Sequence, residues 1–205
     1  MTTPLTTGDY DVLNVVALKK MATADAIAAD CGLDVGVVGP VLAALADQGL
    51  VVVAGGAALP NDAAGHALAA AAAARYAAVR ADPDVGELVA RFETANAQLL
   101  STMSAWQQVD VGGRKVANDH TDSAYDGKVI GRIERLVQRL QPLLSALADH
   151  DPRFAAYPRR FAAALDGIDA GDHNLVSSPL RDSVHTVWFE FHEDLPRTLG
   201  RDRKE

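Results

Sequence analysis

The sequence predicts an all-α protein with one small β-wing, arranged as two domains, and three observations carry that prediction. Apolar residues recur at helical spacing through most of the 205 residues. A β-branched run, Leu50-Val-Val-Val53, is followed by the turn pair Gly55-Gly56, the pattern of a minimal hairpin. Asp82-Pro83-Asp84 then interrupts the helical pattern, so the expected domains are 1–81 and 82–205.

In the first part, Val12, Leu13, Val15, Val16 and Leu18 stripe an amphipathic helix over 9–20. Thr23 reads as the N-cap of a short helix through Ile27 and Ala28, closed by Gly32. Asp34 caps the next helix, with Val38, Leu42 and Leu45 on one face and Gly49 at its end. Helix, short helix, turn, helix, hairpin is the order of a winged helix-turn-helix module. An Ala-rich helix over 61–80, capped by Asn61 or Asp62, completes this part.

In the second part, Leu88, Phe92, Leu99, Met103 and Trp106 mark a helix of about six turns. Its heptad-like stripe can serve packing within the chain or between copies, and a homodimer using this helix or the last one is expected. The segment from Val109 to His120 reads as a loop. Tyr125, Val129, Ile133, Leu136, Leu140, Leu143 and Leu147 stripe a second long helix with a bend expected at Pro142. Asp151-Pro152 and Ser178-Pro179 each open a further helix, giving a four-helix bundle.

Hydrophobic residues make up 49% of the chain and charged residues 22%, which excludes wholesale disorder. The lone Cys31 excludes an internal disulfide and suits a reducing compartment. The amino terminus carries neither a basic segment nor an apolar one, and no apolar run approaches the roughly twenty residues of a membrane span. No signal peptide and no membrane association are therefore expected, and the expected location is cytoplasmic. The net charge is −8, yet its distribution says more: from Met21 to Ala74 there is no Lys or Arg, while Asp25, Asp30, Asp34, Asp47 and Asp62 fall inside.

The run Thr23-Ala-Asp-Ala-Ile-Ala-Ala-Asp-Cys-Gly-Leu-Asp34, with Val41-Leu-Ala-Ala-Leu-Ala-Asp-Gln-Gly-Leu-Val-Val52, resembles the helix-turn-helix core of MarR-like regulators. That resemblance implies a winged helix, transcriptional regulation and DNA binding as a homodimer. A winged helix reads DNA by laying its second motif helix in the major groove, where polar and basic side chains meet bases and phosphates. The groove-facing positions here are Gly36, Val37, Gly39, Pro40, Ala43 and Ala44, none with a hydrogen-bonding side chain. The residues left to touch DNA are Val37 and Ala43 on that helix and the flanking cations Lys19, Lys20, Arg75 and Arg80. Weak affinity with few phosphate contacts is expected.

The last helix, expected over 179–199, gathers Arg181, His185, His192 and Trp188 toward its inward side, with Leu180, Val184, Val187 and Phe191 as its apolar arc. Asp182, Ser183, Glu190 and Asp194 fall on the solvated side. A buried Arg or His requires a partner, and the polar loop holding Asn118, Asp119, His120, Asp122 and Tyr125 can supply one. Two readings follow. Either Arg181, His185 and His192 meet a small anionic effector in a pocket walled by Trp106 or Trp188, or Asp119 or Asp122 satisfies Arg181 and caps a helix. His185 and His192 lie about 10.5 Å apart along the helix axis, too far to share a metal ion alone, so neither metal nor cofactor is expected.

The segment Asn118-Asp-His-Thr-Asp-Ser-Ala-Tyr-Asp126, with the run from Asp182 to Leu195 and Leu199-Gly-Arg201, is similar to a little-characterised group of actinobacterial MarR-like proteins. It implies an association with phosphoenolpyruvate-using dikinase-like enzymes. The leading expectation is a MarR-like transcriptional regulator with a helical effector-sensing or dimerisation domain, not an enzyme. The alternative is a winged-helix adaptor for a protein partner that has lost sequence-specific DNA binding. A small enzyme using the His/Asp pocket ranks third, since no nucleophile motif is present.

Overall fold

The structure, a computed structural model, describes residues 4–201. It is mostly helical with a small antiparallel sheet, and it divides into two compact units, Met1–Asp82 with Phe189–Glu205, and Pro83–Trp188. Residues from Phe189 on thus belong with the first unit, where the sequence placed all of 82–205 in the second domain.

The first unit opens with α1 (Thr7–Lys19), whose N-cap Thr6 forms a reciprocal capping box with Asp9. Next come β1 (Ala22–Thr23), α2 (Ala24–Cys31), α3 (Val35–Asp47), β2 (Val51–Ala54) and β3 (Ala57–Pro60). Thr23 caps α2, Gly32 ends it in the left-handed region at φ 66°, and Asp34 caps α3. The sheet order is β1-β3-β2, antiparallel throughout, with Val52 opposite Leu59 and Ala22 opposite Ala58. Tyr10, Leu13, Val16, Ile27, Val38, Leu45 and Leu50 are buried and form the core of this unit.

The Ala-rich segment is two helices, α4 (Asp62–Arg75) and α5 (Ala77–Ala81), not one. The break is at Tyr76, at φ −107° and ψ 21°, whose buried ring packs edge-on against Tyr10 at 5.9 Å. A tertiary anchor overrides the helix propensity of the alanines around it.

The second unit contains α6 (Pro83–Gln107) and α7 (Ser123–His150), which runs on through Pro142. Between them the expected loop is a hairpin, β4 (Gln108–Val111) and β5 (Arg114–Ala117), turned by Gly112 and Gly113 at φ 61° and 81°. Two consecutive positive φ values suit the twist of a two-residue hairpin, and only glycine adopts them without strain. A 3₁₀ turn (Pro152–Ala155) capped by Asp151 precedes α8 (Ala156–Asp169), and α9 (Asn174–Ser177) follows.

The last helix, α10 (Val184–Leu199), begins five residues after Pro179 rather than at it. Its start is set by Ser183, whose hydroxyl accepts from the Thr186 N–H. Leu180, expected in the apolar arc, lies before the helix and is 92% exposed. Ser183, Glu190 and Asp194, expected on the solvated face, are buried.

Candidate functional site

In the first unit, the caps on α2 and α3 fix which face of α3 turns outward. Val38, Leu42 and Leu45 are buried, so Val35, Val37, Pro40, Ala43 and Ala44 are exposed. Val37 is 49% exposed, and Val52 and Val53 on β2 are each 52% exposed. The cross-strand partner of Val52, Leu59, is exposed as well. From residue 21 to residue 60 the exposed charged side chains are the carboxylates of Asp25, Asp34 and Asp47. The exposed part of α3 therefore offers neither a donor for a base edge nor a cation for a phosphate.

Three of the four flanking cations are committed inside the unit. The Lys19 ammonium lies between Asp30 at 3.1 Å and Glu190 at 3.2 Å and is largely buried. Arg75 pairs with Asp11 at 2.8 Å and lies over the rings of Tyr10 and Tyr76. Arg80 donates to the backbone carbonyls of Thr198 at 2.8 Å and Arg197 at 3.1 Å, satisfying carbonyls at the C-terminal end of α10. Lys20, the left-handed C-cap of α1, remains exposed.

The carboxy-terminal constellation follows the second reading in one half, since Asp122 caps a helix, and departs from it in the other, the partner of Arg181. Arg181 pairs with Asp172, an exposed contact, and not with Asp119 or Asp122. Hydrogen bonding to Arg181 holds the Asp172 carboxyl below its ordinary range. Asp122 is the N-cap of α7, accepting from Ala124 and Tyr125 N–H at 3.1 and 3.0 Å. Asp119 accepts from the hydroxyl and the amide of Thr121, which lowers its pKa. The Tyr125 hydroxyl donates to the Ala105 carbonyl at 2.9 Å.

Asn118 and His120 converge on the buried Asp126, at 2.8 and 2.9 Å, and the Trp106 ring lies against the His120 ring, tilted by 37° with centroids 4.3 Å apart. Trp188 donates its indole N–H to Asn96 at 2.9 Å and packs on Phe92 and Phe161. His185 is half-buried, and desolvation pushes its pKa down. His192 is half-buried and falls in the other unit.

The sequence reading missed three partnerships. Arg160, buried on α8, makes a two-pronged bond to Asp182 at 2.8 and 2.9 Å. Asp194 accepts from Asn14 at 3.1 Å, and Asn14 in turn accepts from Arg197. Such pairs join residues up to 183 positions apart, so no local pattern betrays them. A cavity of about 1070 Å³, also unforeseen, opens beside α1 and the alanine face of α4, lined by Leu5, Tyr10, Leu50, Ala67 and Ala71. Among the described residues no cluster of three or more metal-ligating side chains occurs, and no single helix is long and apolar enough to cross a membrane. The chain matches no protein-family model, and comparisons with curated proteins and with solved structures return no match.

Proposed function

We propose that the α1–β3 segment is a winged helix-turn-helix module that serves as a protein-docking surface, making this chain an adaptor. The observation that carries the reading is the outward face of α3, where Val35, Val37, Pro40 and Ala43 are exposed with no basic side chain among them. Exposed apolar surface in a cation-free span suits close packing against another protein better than contact with a polyanion. Asp34 caps α3, Asp47 ends it and Asp25 opens α2, all three exposed, so the segment's exposed charge is acidic. The fitting partner is a protein whose apolar contact residues are rimmed by Lys and Arg.

A MarR-like transcriptional regulator is the second reading, favoured by the order of elements from α1 to β3 and by the exposed Lys20. One experiment separates the two. The full chain is used to select from a random duplex DNA pool, and a photo-cross-linking residue is placed at position 37 in cells. The adaptor reading expects no enriched DNA sequence. It also expects a discrete protein adduct at position 37 that disappears on Val53→Asp, and a purified adduct partner that binds the chain more weakly as salt rises. An enriched operator bound at nanomolar affinity, with binding lost on Val37→Asp, overturns it in favour of the regulator.

A further inference from the structure

The acidic balance of this chain hides one concentrated basic site, and it lies in the second unit. Lys128, Arg132, Arg135 and Arg139 recur at i, i+4, i+7 and i+11 on α7, so they share one face. They extend over about 16.5 Å of helix. All four are exposed, and among the described residues none of them stands in an ion pair. That is unlike Arg75, Arg160 and Arg181, each of which holds a carboxylate. The neighbouring helix offers no counter-charge, for α6 carries no ionisable side chain from Thr94 to Gln107.

Between the two helices, Arg132, Arg135 and Arg139 line a cleft of about 220 Å³ together with Gln98, Ser101 and Thr102. Its polar chemistry is almost all donor. Gln98 Oε1 is occupied by Arg139 at 2.7 Å, which leaves the Gln98 amide N–H₂ as its free function. The Thr102 hydroxyl donates to the Gln98 carbonyl at 2.8 Å. What remains is guanidinium N–H, the Gln98 amide and the Ser101 hydroxyl. Three guanidinium groups around one small cleft repel one another, and a multivalent anion seated there relieves the repulsion.

We propose that this cleft binds the phosphoryl group of a small phosphorylated ligand, with Arg132 and Arg135 as its principal clamps and Gln98 and Ser101 as neutral donors. Guanidinium forks match phosphate oxygens in pairs, which a scattered lysine surface does not. A cleft of this volume suits a compact group better than a continuous nucleic-acid backbone, and a chain of net charge −8 opposes a long polyanion. The residues of this site all belong to the second unit, and the proposal does not depend on the reading of α3.

The test uses pyrophosphate titrated into the full chain at an ionic strength of about 0.15 M. Saturable binding with Kd below about 1 mM is expected, together with a thermal midpoint that rises with ligand concentration. Arg132→Ser and Arg135→Ser should each weaken binding by roughly tenfold or more. Arg91→Ser, on α6 outside the cleft, should leave it unchanged. Arg135→Lys keeps the charge but loses the fork, so it should fall between. No saturable binding up to about 10 mM, or binding unchanged in the Arg132→Ser/Arg135→Ser double variant, overturns the proposal. So does duplex DNA or RNA binding that needs the same arginines and that pyrophosphate does not displace.

Discussion

His120 Nδ1 lies 2.9 Å from a carboxylate oxygen of Asp126, a side chain on the first turn of α7 in a residue only 2% exposed. The other oxygen accepts from Asn118, whose amide also donates to the Trp106 carbonyl at 3.1 Å, where α6 ends. His120 itself sits at φ 58°, a left-handed conformation uncommon outside glycine, held by its side-chain bonds and its contact with the Trp106 ring. One buried carboxylate therefore ties together the end of α6, the loop after β5 and the start of α7. Asp126→Ala is expected to cost about 2–3 kcal/mol in denaturant unfolding, because two donors lose a buried acceptor. Asp126→Asn keeps the size and one acceptor and should cost less. Equal midpoints for Asp126→Ala and the parent would refute this.

The half-buried His185 gives stability a pH dependence of definite sign. Burial lowers its folded pKa below the ordinary value of 6.5, so the unfolded chain binds its proton first as pH falls. The neutral form's contribution is complete above the unfolded pKa and is lost as pH drops below about 6.5 toward the folded value. Thermal midpoints measured between about pH 7.5 and 5 should therefore fall more steeply for the parent than for His185→Gln. Parallel curves would show that His185 does not contribute.

Lys19 offers a direct choice between an internal and a DNA-contacting role. Its ammonium joins Asp30 on α2 to Glu190 on α10, and Glu190 is buried. Lys19→Met removes the cation from a buried carboxylate and should destabilise the first unit by about 2–4 kcal/mol. Lys20→Met, one residue on and exposed, should shift stability by less than about 0.5 kcal/mol. The reverse ranking, with Lys19→Met affecting only DNA affinity, would contradict the assignment.

Of the two uses open to the heptad-like stripe, packing within the second unit is the one seen. Phe92, Leu99 and Met103 are buried there, with α6 packed along α7. Leu99→Ala should accordingly cost about 2–5 kcal/mol as a core cavity. Leu100→Glu, at a position more than half exposed, should leave the fold intact. A large change of sedimenting mass with Leu99→Ala but no loss of stability would restore the interface reading.

Much of the first unit was legible because its signals are local. Thr23, Asp34, Gly32 and the i, i+4, i+7 set Val38, Leu42 and Leu45 act within a few residues of the helix ends they specify. The second hairpin was missed although its turn chemistry, Gly112-Gly113 between Val109-Asp-Val and Arg-Lys-Val116, was as clear as that of the first. Its strands are short and mostly exposed, so no run of apolar residues drew attention to them. The last helix was misread because Ser-Pro is a good opening in isolation, whereas Ser183 competes for the role and wins. The burial of Glu190 and Asp194 was out of reach, since it depends on Lys19 and Asn14 about 170 to 180 residues earlier in the chain. Charge on a helical wheel says where a residue points, not whether a distant cation meets it there. The cationic row on α7 was readable from spacing alone, but only the carboxylate-free stretch of α6 beside it gives it meaning.

Pro40 stands within α3, with Gly39 beside it and Gly36 one turn earlier, and it has no N–H to close a bond back to that turn. The front of the helix is therefore held by its Asp34 cap and the buried Val38, while Leu42 and Leu45 anchor the rear. Amide exchange should run much faster over residues 36–39 than over 41–47, at a free energy well short of global unfolding. If α3 docks a protein as proposed, the backbone bond that Pro40 omits leaves its first turn able to adjust on contact. Complexes formed there should assemble with an ordering cost, dissociate readily, and accept contours that a rigid helix would refuse.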